Sequence, residues 1–294
     1  MASIRDLRNR IKSVGSIRQI TRAMEMVATT KLRRFQEKAV ASRPYAQEIA
    51  GLVGRLATIL GDDVGDRPLF RPGEGQRVAI LLVSSDRGLC GAYNSNLFRK
   101  LEQWLQANPG VPVDYYVYGR KGYQYLQRRG REVERFLVEP PLEKIDYRGA
   151  ARTARILADA FRSGKYARVL LFYTAFESVV KYVPSEVQFL PVSSGLGAGG
   201  DKSGAPRSAG DLILEPDAAT IFDRLVPRYL ETRVYNALLE SVTSEYASRR
   251  VSMKNATDAA KTMGNVLKKV YNRKRQENIT KELLDIVGGA EAVK

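Results

Sequence analysis

The sequence predicts an α/β protein in which two long terminal helices pair as an antiparallel coiled coil beside a central Rossmann-like α/β domain with a mostly parallel sheet. Three observations carry this. All 12 prolines fall between Pro44 and Pro227. Apolar residues recur every three or four positions in both proline-free ends, as a helical stripe requires. Between those ends, strand-like and helix-like stretches alternate, the rhythm of a parallel sheet covered by helices.

At the amino end the apolar stripe runs Ile4, Leu7, Ile11, Val14, Ile17, Ile20, Met24 and Val27. Two consecutive steps of three around Gly15 break the strict heptad, like a stammer that overwinds a coil. Ser3 is placed to cap the helix, with Asp6 three residues on as the second half of a capping box. Residues 1–60 form this helix, with Pro44 a site for a kink and a length of roughly 80–90 Å. At the carboxyl end, Val242, Tyr246, Arg249, Met253, Ala256, Ala260, Met263, Leu267 and Val270 alternate steps of four and three. That is a coiled-coil seam with a single charged member, Arg249. The carboxyl-terminal segment, 216–294, extends this helix to roughly 100 Å. Helices of this length exceed a compact domain, and with a domain between them their simplest pairing is antiparallel.

The middle segment, 76–192, contains strand-like runs at Val78–Ser84, Val113–Tyr118, Glu132–Val138, Val169–Thr174 and Glu186–Leu190. Helical stretches lie near Asn94–Ala107, Lys121–Arg129 and Ala150–Ser163. Residues 193–215 are rich in Gly and Ser and read as a flexible surface loop.

Composition narrows the chemistry. The chain of 294 residues has no histidine and one cysteine, Cys90. Nucleophile pairs that need histidine, His-ligated metals and Cys-cluster metals are thereby excluded, and so are disulfides within the chain. No cofactor and no catalytic residue is expected. The longest apolar run, Val78–Val83, is far short of the roughly 20 residues a membrane span needs, so no membrane insertion is expected. The amino terminus lacks the apolar core of a secretory signal, which predicts a protein of the cytosol or of the membrane's cytosolic face. Net charge is +16, and residues 1–60 alone carry 12 Lys/Arg against 4 Asp/Glu. Such an excess seeks a polyanionic or acidic partner: nucleic acid, anionic lipid or a protein surface.

Four features invite a functional reading. The glycine-bearing turn Ser84–Ala92, after the first strand, stands where α/β folds bind phosphates, but it matches neither G-x-G-x-x-G nor a Walker A, and any tight βα turn needs glycine. Cys90 lies near a helix start beside Arg87, where a thiolate is favoured, yet no base accompanies it, and a small, partly buried structural residue fits better. Arg249 in the seam needs a carboxylate or an outside partner, unless the helices splay there and leave it solvated. After Val270 comes a polar collar, Tyr271–Asn278, and then a new apolar stripe: Ile279, Leu283, Ile286 and Val287. This pattern fits a tip inserted into another protein, or a helix end folded back on its own domain. A basic coiled coil that binds nucleic acid is the alternative function. Against it, the basic residues are interspersed along a helix with a continuous apolar face, and stacking aromatics at recognition-module spacing are missing.

These residues bring a family into view. Ile20–Ala28 with Thr29–Arg34, Ser85–Asn94, Ser244–Arg249, Met253–Ala259, Tyr271-Asn272, Arg275-Gln276 and Ile279–Ala290 resemble, in collinear order, the gamma subunits of F-type ATP synthases, the rotor stalk. The resemblance implies one copy of the chain per complex, as a shaft coupling ion flow through a membrane c-ring to the conformational cycling of catalytic beta subunits. The implied partners are an alpha3-beta3 hexamer, an epsilon subunit and the c-ring, with no nucleic acid. The implied location is peripheral, on the cytoplasmic face of the bacterial inner membrane. By resemblance, Met24 meets the acidic lever of beta, while Arg249, Arg275 and Gln276 form a polar catch with beta. The tip residues Ile279, Leu283, Ile286 and Val287 turn in an upper bearing. Glu277-Asn278 departs from the family's usual small residues, Ile17 occupies a spot often polar, and the paired cysteines of the redox-regulated type are absent.

Overall fold

The computed structural model describes residues 3–192 and 214–291. Of the expected loop at 193–215, all but residues 214 and 215 lies outside the described residues. The elements follow in the order α1 (Ile4–Leu60), β1 (Arg77–Val83), α2 (Tyr93–Ala107), β2 (Val113–Tyr118), α3 (Arg120–Arg128), β3 (Val133–Leu137), α4 (Tyr147–Arg162), β4 (Tyr166–Phe176), β5 (Tyr182–Leu190) and α5 (Ala218–Glu291). Two compact units result: Lys31–Ser248, and Met1–Thr30 with Arg249–Lys294.

The larger unit is built on a five-stranded sheet of order β3-β2-β1-β4-β5. β1 pairs in parallel with β2 and β4, β2 pairs in parallel with β3, and only the β4–β5 hairpin is antiparallel. β1 is the central strand and buries every residue from Val78 to Val83, which explains its continuous apolar run. Its face packs Ile80 and Leu82 against Leu97, Leu101 and Trp104 of α2. At the amino ends of the strands Asp114 accepts from Tyr166 Oη at 2.9 Å, pairs with Lys165 Nζ at 2.7 Å and is paired again by Arg77. The hairpin strands run longer than their apolar centres predict, because β4 and β5 extend each other out to the Phe176–Tyr182 pair. Helix α4 begins three residues earlier than its apolar pattern, since Asp146 Oδ1 caps it by accepting from Gly149 N at 2.8 Å.

Within this unit the ends of α1 and α5 pair antiparallel. Phe35 stacks on Tyr246 with ring centroids 5.7 Å apart, and Ser42 donates to Asn236. Lys31 Nζ reaches Glu143 at 2.6 Å, and Tyr246 Oη also donates to Glu143. One carboxylate therefore ties both helices to the segment before α4. Burial opposes ionisation of Glu143, but the bonds from Lys31 and Tyr246 prevail and hold its carboxyl below the usual range.

The smaller unit is the remainder of the same two helices. The expected cap is present: Ser3 Oγ accepts from Asp6 N, and Asp6 Oδ2 accepts from Ser3 N, each at 3.1 Å. Arg8 donates to Tyr271, a Cβ at Gly264 would lie 3.8 Å from Val14, and Thr257 donates to Thr21. As residue numbers rise along α1 they fall along α5, so the pairing is antiparallel.

The register of this pairing corrects the predicted seam. Leu7, Val14, Thr21, Ala28 and Phe35 all face inward, an unbroken seven-residue repeat that needs no stammer at Gly15. Ile17 and Ile20, 51% and 58% exposed, lie outside the seam with Val27. On α5 the inward row is Met253, Thr257, Ala260, Gly264, Leu267 and Tyr271, so Met263 and Val270 are also turned out. The physical reason is volume. Thr21, Ala28, Thr257, Ala260 and Gly264 let two backbones approach closely, and a polar Thr–Thr bond holds the register where larger apolar residues would separate the helices. α1 is continuous through Pro44, and α5 through Pro227.

Candidate partner-contact site

Each partner-contact residue expected from the resemblance lies in the smaller unit, and their settings differ. Met24 is half-buried beside the seam. Arg249 is 7% exposed and is not a free cation, which overturns the reading of a splayed coil with a solvated arginine. Arg275 and Gln276 are exposed, and neither makes a hydrogen bond or ion pair among the described residues. Their neighbour Glu277 is taken up by Arg273 at 3.1 Å and Lys274 at 3.3 Å, on the same helix. Those contacts, Lys274 first, hold the Glu277 carboxyl below its ordinary value. The acidic departure from the family pattern is thus neutralised locally, and Arg275 and Gln276 stay presented.

The register shows where the coil ends. With Arg8 at Tyr271 and Thr21 at Thr257, the antiparallel pairing sets Ser3 level with Arg275. α1 starts at Ile4, so α5 runs on from Arg275 to Glu291 without a partner helix among the described residues, about 25 Å of single helix at 1.5 Å per residue. On this stretch Ile279, Leu283, Ile286 and Val287 are all exposed, Ile286 to 68%. They do not fold back onto the chain. At the last paired level the Arg8 guanidinium bonds the Tyr271 hydroxyl, which lowers the phenol's pKa and raises the arginine's.

The register also turns apolar residues outward, several of which the periodicity places within the seam. Ile17, Ile20, Met26 and Val27 on α1, and Met263, Val266 and Val270 on α5, are exposed apolar side chains on the coil's outer faces. Exposed apolar stripes of this extent mark surfaces that meet another protein. The one available signal was the conflict between the repeat Leu7-Val14-Thr21-Ala28 and the more hydrophobic stripe through Ile17 and Ile20.

The other two sequence candidates lie in the larger unit. Cys90 is buried, and Asn94 Nδ2 approaches its sulfur at 3.4 Å. The Ser84–Ala92 turn is held from α2: Asn94 Oδ1 accepts from Ser85 N at 3.1 Å and Asn94 Nδ2 donates to Ser85 Oγ at 2.7 Å. Above it, the Tyr93 phenol is fully buried beside Ser241, Thr174 and Glu245, and burial first, then the Glu245 charge, pushes its pKa up. Hydroxyls of α5 therefore occupy the place where a phosphate would meet this turn. Among the described residues no helix is long and apolar enough to cross a membrane, and no cluster of His, Cys, Asp or Glu could hold a metal ion.

Comparison with known proteins agrees with this arrangement. The ATP synthase family model matches residues 3–293. An ATP synthase gamma chain of Acidiphilium cryptum is 41% identical over the whole of both chains, and one of Dehalococcoides mccartyi is 38% identical, again end to end. Among solved structures, a chain from the Euglena gracilis mitochondrial ATP synthase assembly of OSCP, F1 and c-ring superposes with a TM-score of 0.64 at 18% identity, covering 99% of this chain and 94% of that one. A chain from the central stalk and c-ring of the Tetrahymena thermophila enzyme gives a TM-score of 0.58 at 24% identity, over 81% of this chain and 99% of that one. Those two likenesses establish the fold, and the full-length sequence matches establish more: this chain belongs to the ATP synthase gamma chain family.

Proposed function

We propose that the chain is the rotating shaft of an F1 sector, present once per complex, and that it contributes no catalytic site of its own. The observation that carries this is the passage, at the level of Arg275, from a two-helix coil to a single helix on which Ile279, Leu283, Ile286 and Val287 are exposed. A helix of that kind is stable when it turns inside another protein. The partners are an alpha3-beta3 hexamer around the coil, an epsilon subunit and a membrane c-ring, with the complex peripheral on the cytoplasmic face of the bacterial inner membrane.

The proposed contacts divide by chemistry. Met24, Arg249, Arg275 and Gln276 meet beta, and Ile279, Leu283, Ile286 and Val287 form the upper bearing. A shaft must not bind one stator position deeply, because a deep well is a brake. Exposed polar contacts of about 1–3 kcal/mol each form and break within a step. Arg275 and Gln276 have that character, being exposed and held by no hydrogen bond or ion pair among the described residues. Apolar contact is non-directional and tolerates sliding, which suits the tip and the outward stripe through Ile17 and Ile20. A stiff, asymmetric coil pressing on three alike catalytic subunits holds them in three different states, a population shift imposed mechanically.

The test is the double variant Arg275→Ala/Gln276→Ala in the assembled complex. Assembly should be intact, and coupled ATP synthesis and hydrolysis should fall by about tenfold, as expected for the loss of roughly 1.4 kcal/mol of transient contact. Unchanged turnover refutes the coupling role of this pair.

A further inference from the structure

In a doubly wound sheet, ligands enter at the carboxyl ends of the strands, where the strand order reverses. Here that point lies between β1 and β4, and this chain's own helix α5 fills it. Ser241, Ser244 and Ser248 follow at steps of three and four, so they share one face of the helix, and all three are buried. Thr174 N donates to Ser241 Oγ at 3.3 Å, and Ser244 Oγ donates to Thr174 O at 3.2 Å. One turn on, Ser248 Oγ donates to Cys90 O at 2.6 Å and accepts from Tyr182 Oη at 3.1 Å. Three separate elements, β4, β5 and the β1–α2 turn, are thus bonded to one row of serines.

The sheet explains why hydroxyls stand there. The N–H and C=O of a strand residue point to the same edge, and both groups of Thr174 point toward α5, away from Pro184, which lies opposite on β5. On that edge β1 ends at Val83, and its pairing with β4 stops at Phe172. The main chain of Thr174 would therefore be buried without partners, and α5 supplies both. Apolar packing of the same helix, through residues such as Leu238 and Val242, resists separation but has little direction. Hydrogen bonds to fixed main-chain groups lose strength as soon as they misalign, so they resist rotation about the helix axis and sliding along it.

We infer that Ser241, Ser244 and Ser248 are a mechanical key, positioning residues that lock α5 to the sheet so that torque passes between sheet and helix without slip. This rests on the shaft reading above. The ligand crevice of the fold has become a joint between a domain and its drive helix.

The test uses the assembled complex, with a bead attached through an exposed cysteine at Asp159→Cys on α4 and the alpha3-beta3 ring fixed to a surface. The variant is Ser244→Ala/Ser248→Ala, which removes three of the four bonds described. The control is Val242→Ala, which loosens the same interface and keeps every bond. The key predicts unchanged unloaded ATP hydrolysis and an angular variance of the stalled bead about twofold larger in the double variant, because directional bonds are what set the stiffness. The control should match the native variance even where it lowers the melting temperature as far. Equal variance in the native chain and the double variant, or equal broadening in the control, overturns the key. Should the double variant not assemble, Ser248→Ala, which leaves both bonds to Thr174, is read the same way. A native bead that never rotates under ATP would instead refute the shaft reading, so the two failures are distinct.

Discussion

Leu89 carries a bulky side chain on left-handed backbone, with φ of 62°, and that side chain is exposed. The conformation costs an L-residue about 1–2 kcal/mol, and glycine removes it while adding up to about 1 kcal/mol of unfolded-state entropy. Leu89→Gly should therefore leave the melting temperature unchanged or slightly raised, despite deleting a large apolar group. Gly119 is the opposite case. Its φ is 90°, and a Cβ there would stand 2.1 Å from the Ser84 carbonyl oxygen. Gly119→Ala should destabilise by more than about 3 kcal/mol, read by denaturant unfolding, because main chain rather than a movable side chain is in the way. Asp114 gives a pH signature. Burial alone would raise its pKa, but Arg77, Lys165 and Tyr166 together hold it at about 2. A depressed carboxylate contributes stability above its unfolded pKa, and that contribution is lost as pH falls through the folded one. About 2 kcal/mol should therefore disappear between roughly pH 4 and pH 2. The same loss should be absent in Asp114→Asn, and between pH 5 and 7 this group should contribute no slope.

At the scale of elements, the sequence was most legible where burial is two-sided. β1 and β2 follow directly from their apolar runs, and the Ser3–Asp6 box and the polar collar stand where their residue types place them. The strand hairpin and the start of α4 were shorter in the sequence reading than in the structure, since cross-strand pairing and an aspartate cap extend elements beyond their hydrophobic centres. The seam was misread by one position in each heptad from Ile17 onward. A shaft bears two apolar surfaces, one toward its partner helix and one toward its surroundings, and hydropathy alone ranks the larger residues as the inner set. The register makes a direct prediction. Ile17→Ser/Ile20→Ser should change the stability of the free chain by less than about 0.5 kcal/mol per site, as for surface positions. Leu7→Ala, in the inward row, should cost about 2–5 kcal/mol. Differential unfolding of the two variants separates the two registers. The unpartnered stretch behaves likewise. Ending the chain after Asn278 should leave the unfolding of the sheet domain unaltered and weaken assembly with an alpha3-beta3 ring, measured by co-elution.

For the whole molecule, the parts divide the work of transmission. The mostly parallel sheet has its ligand crevice filled by its own helix, and in the proposed shaft the two paired helices carry the movement. Where the heptad ends, one helix continues with apolar residues exposed to whatever surrounds it. Basic charge is concentrated in the first sixty residues, which favours a partner with an acidic surface. Little of this division was visible in composition, which excluded chemistries rather than selecting a function. It became visible in the pairing register, where Ser3 stands level with Arg275. The most direct test of the account is to assemble this chain with an alpha3-beta3 ring, fix the ring, attach a bead to the sheet domain and add ATP. The account predicts unidirectional rotation of the bead, with ATP hydrolysis only when the ring is present. Hydrolysis by a fully assembled complex in which the bead stays still would contradict it.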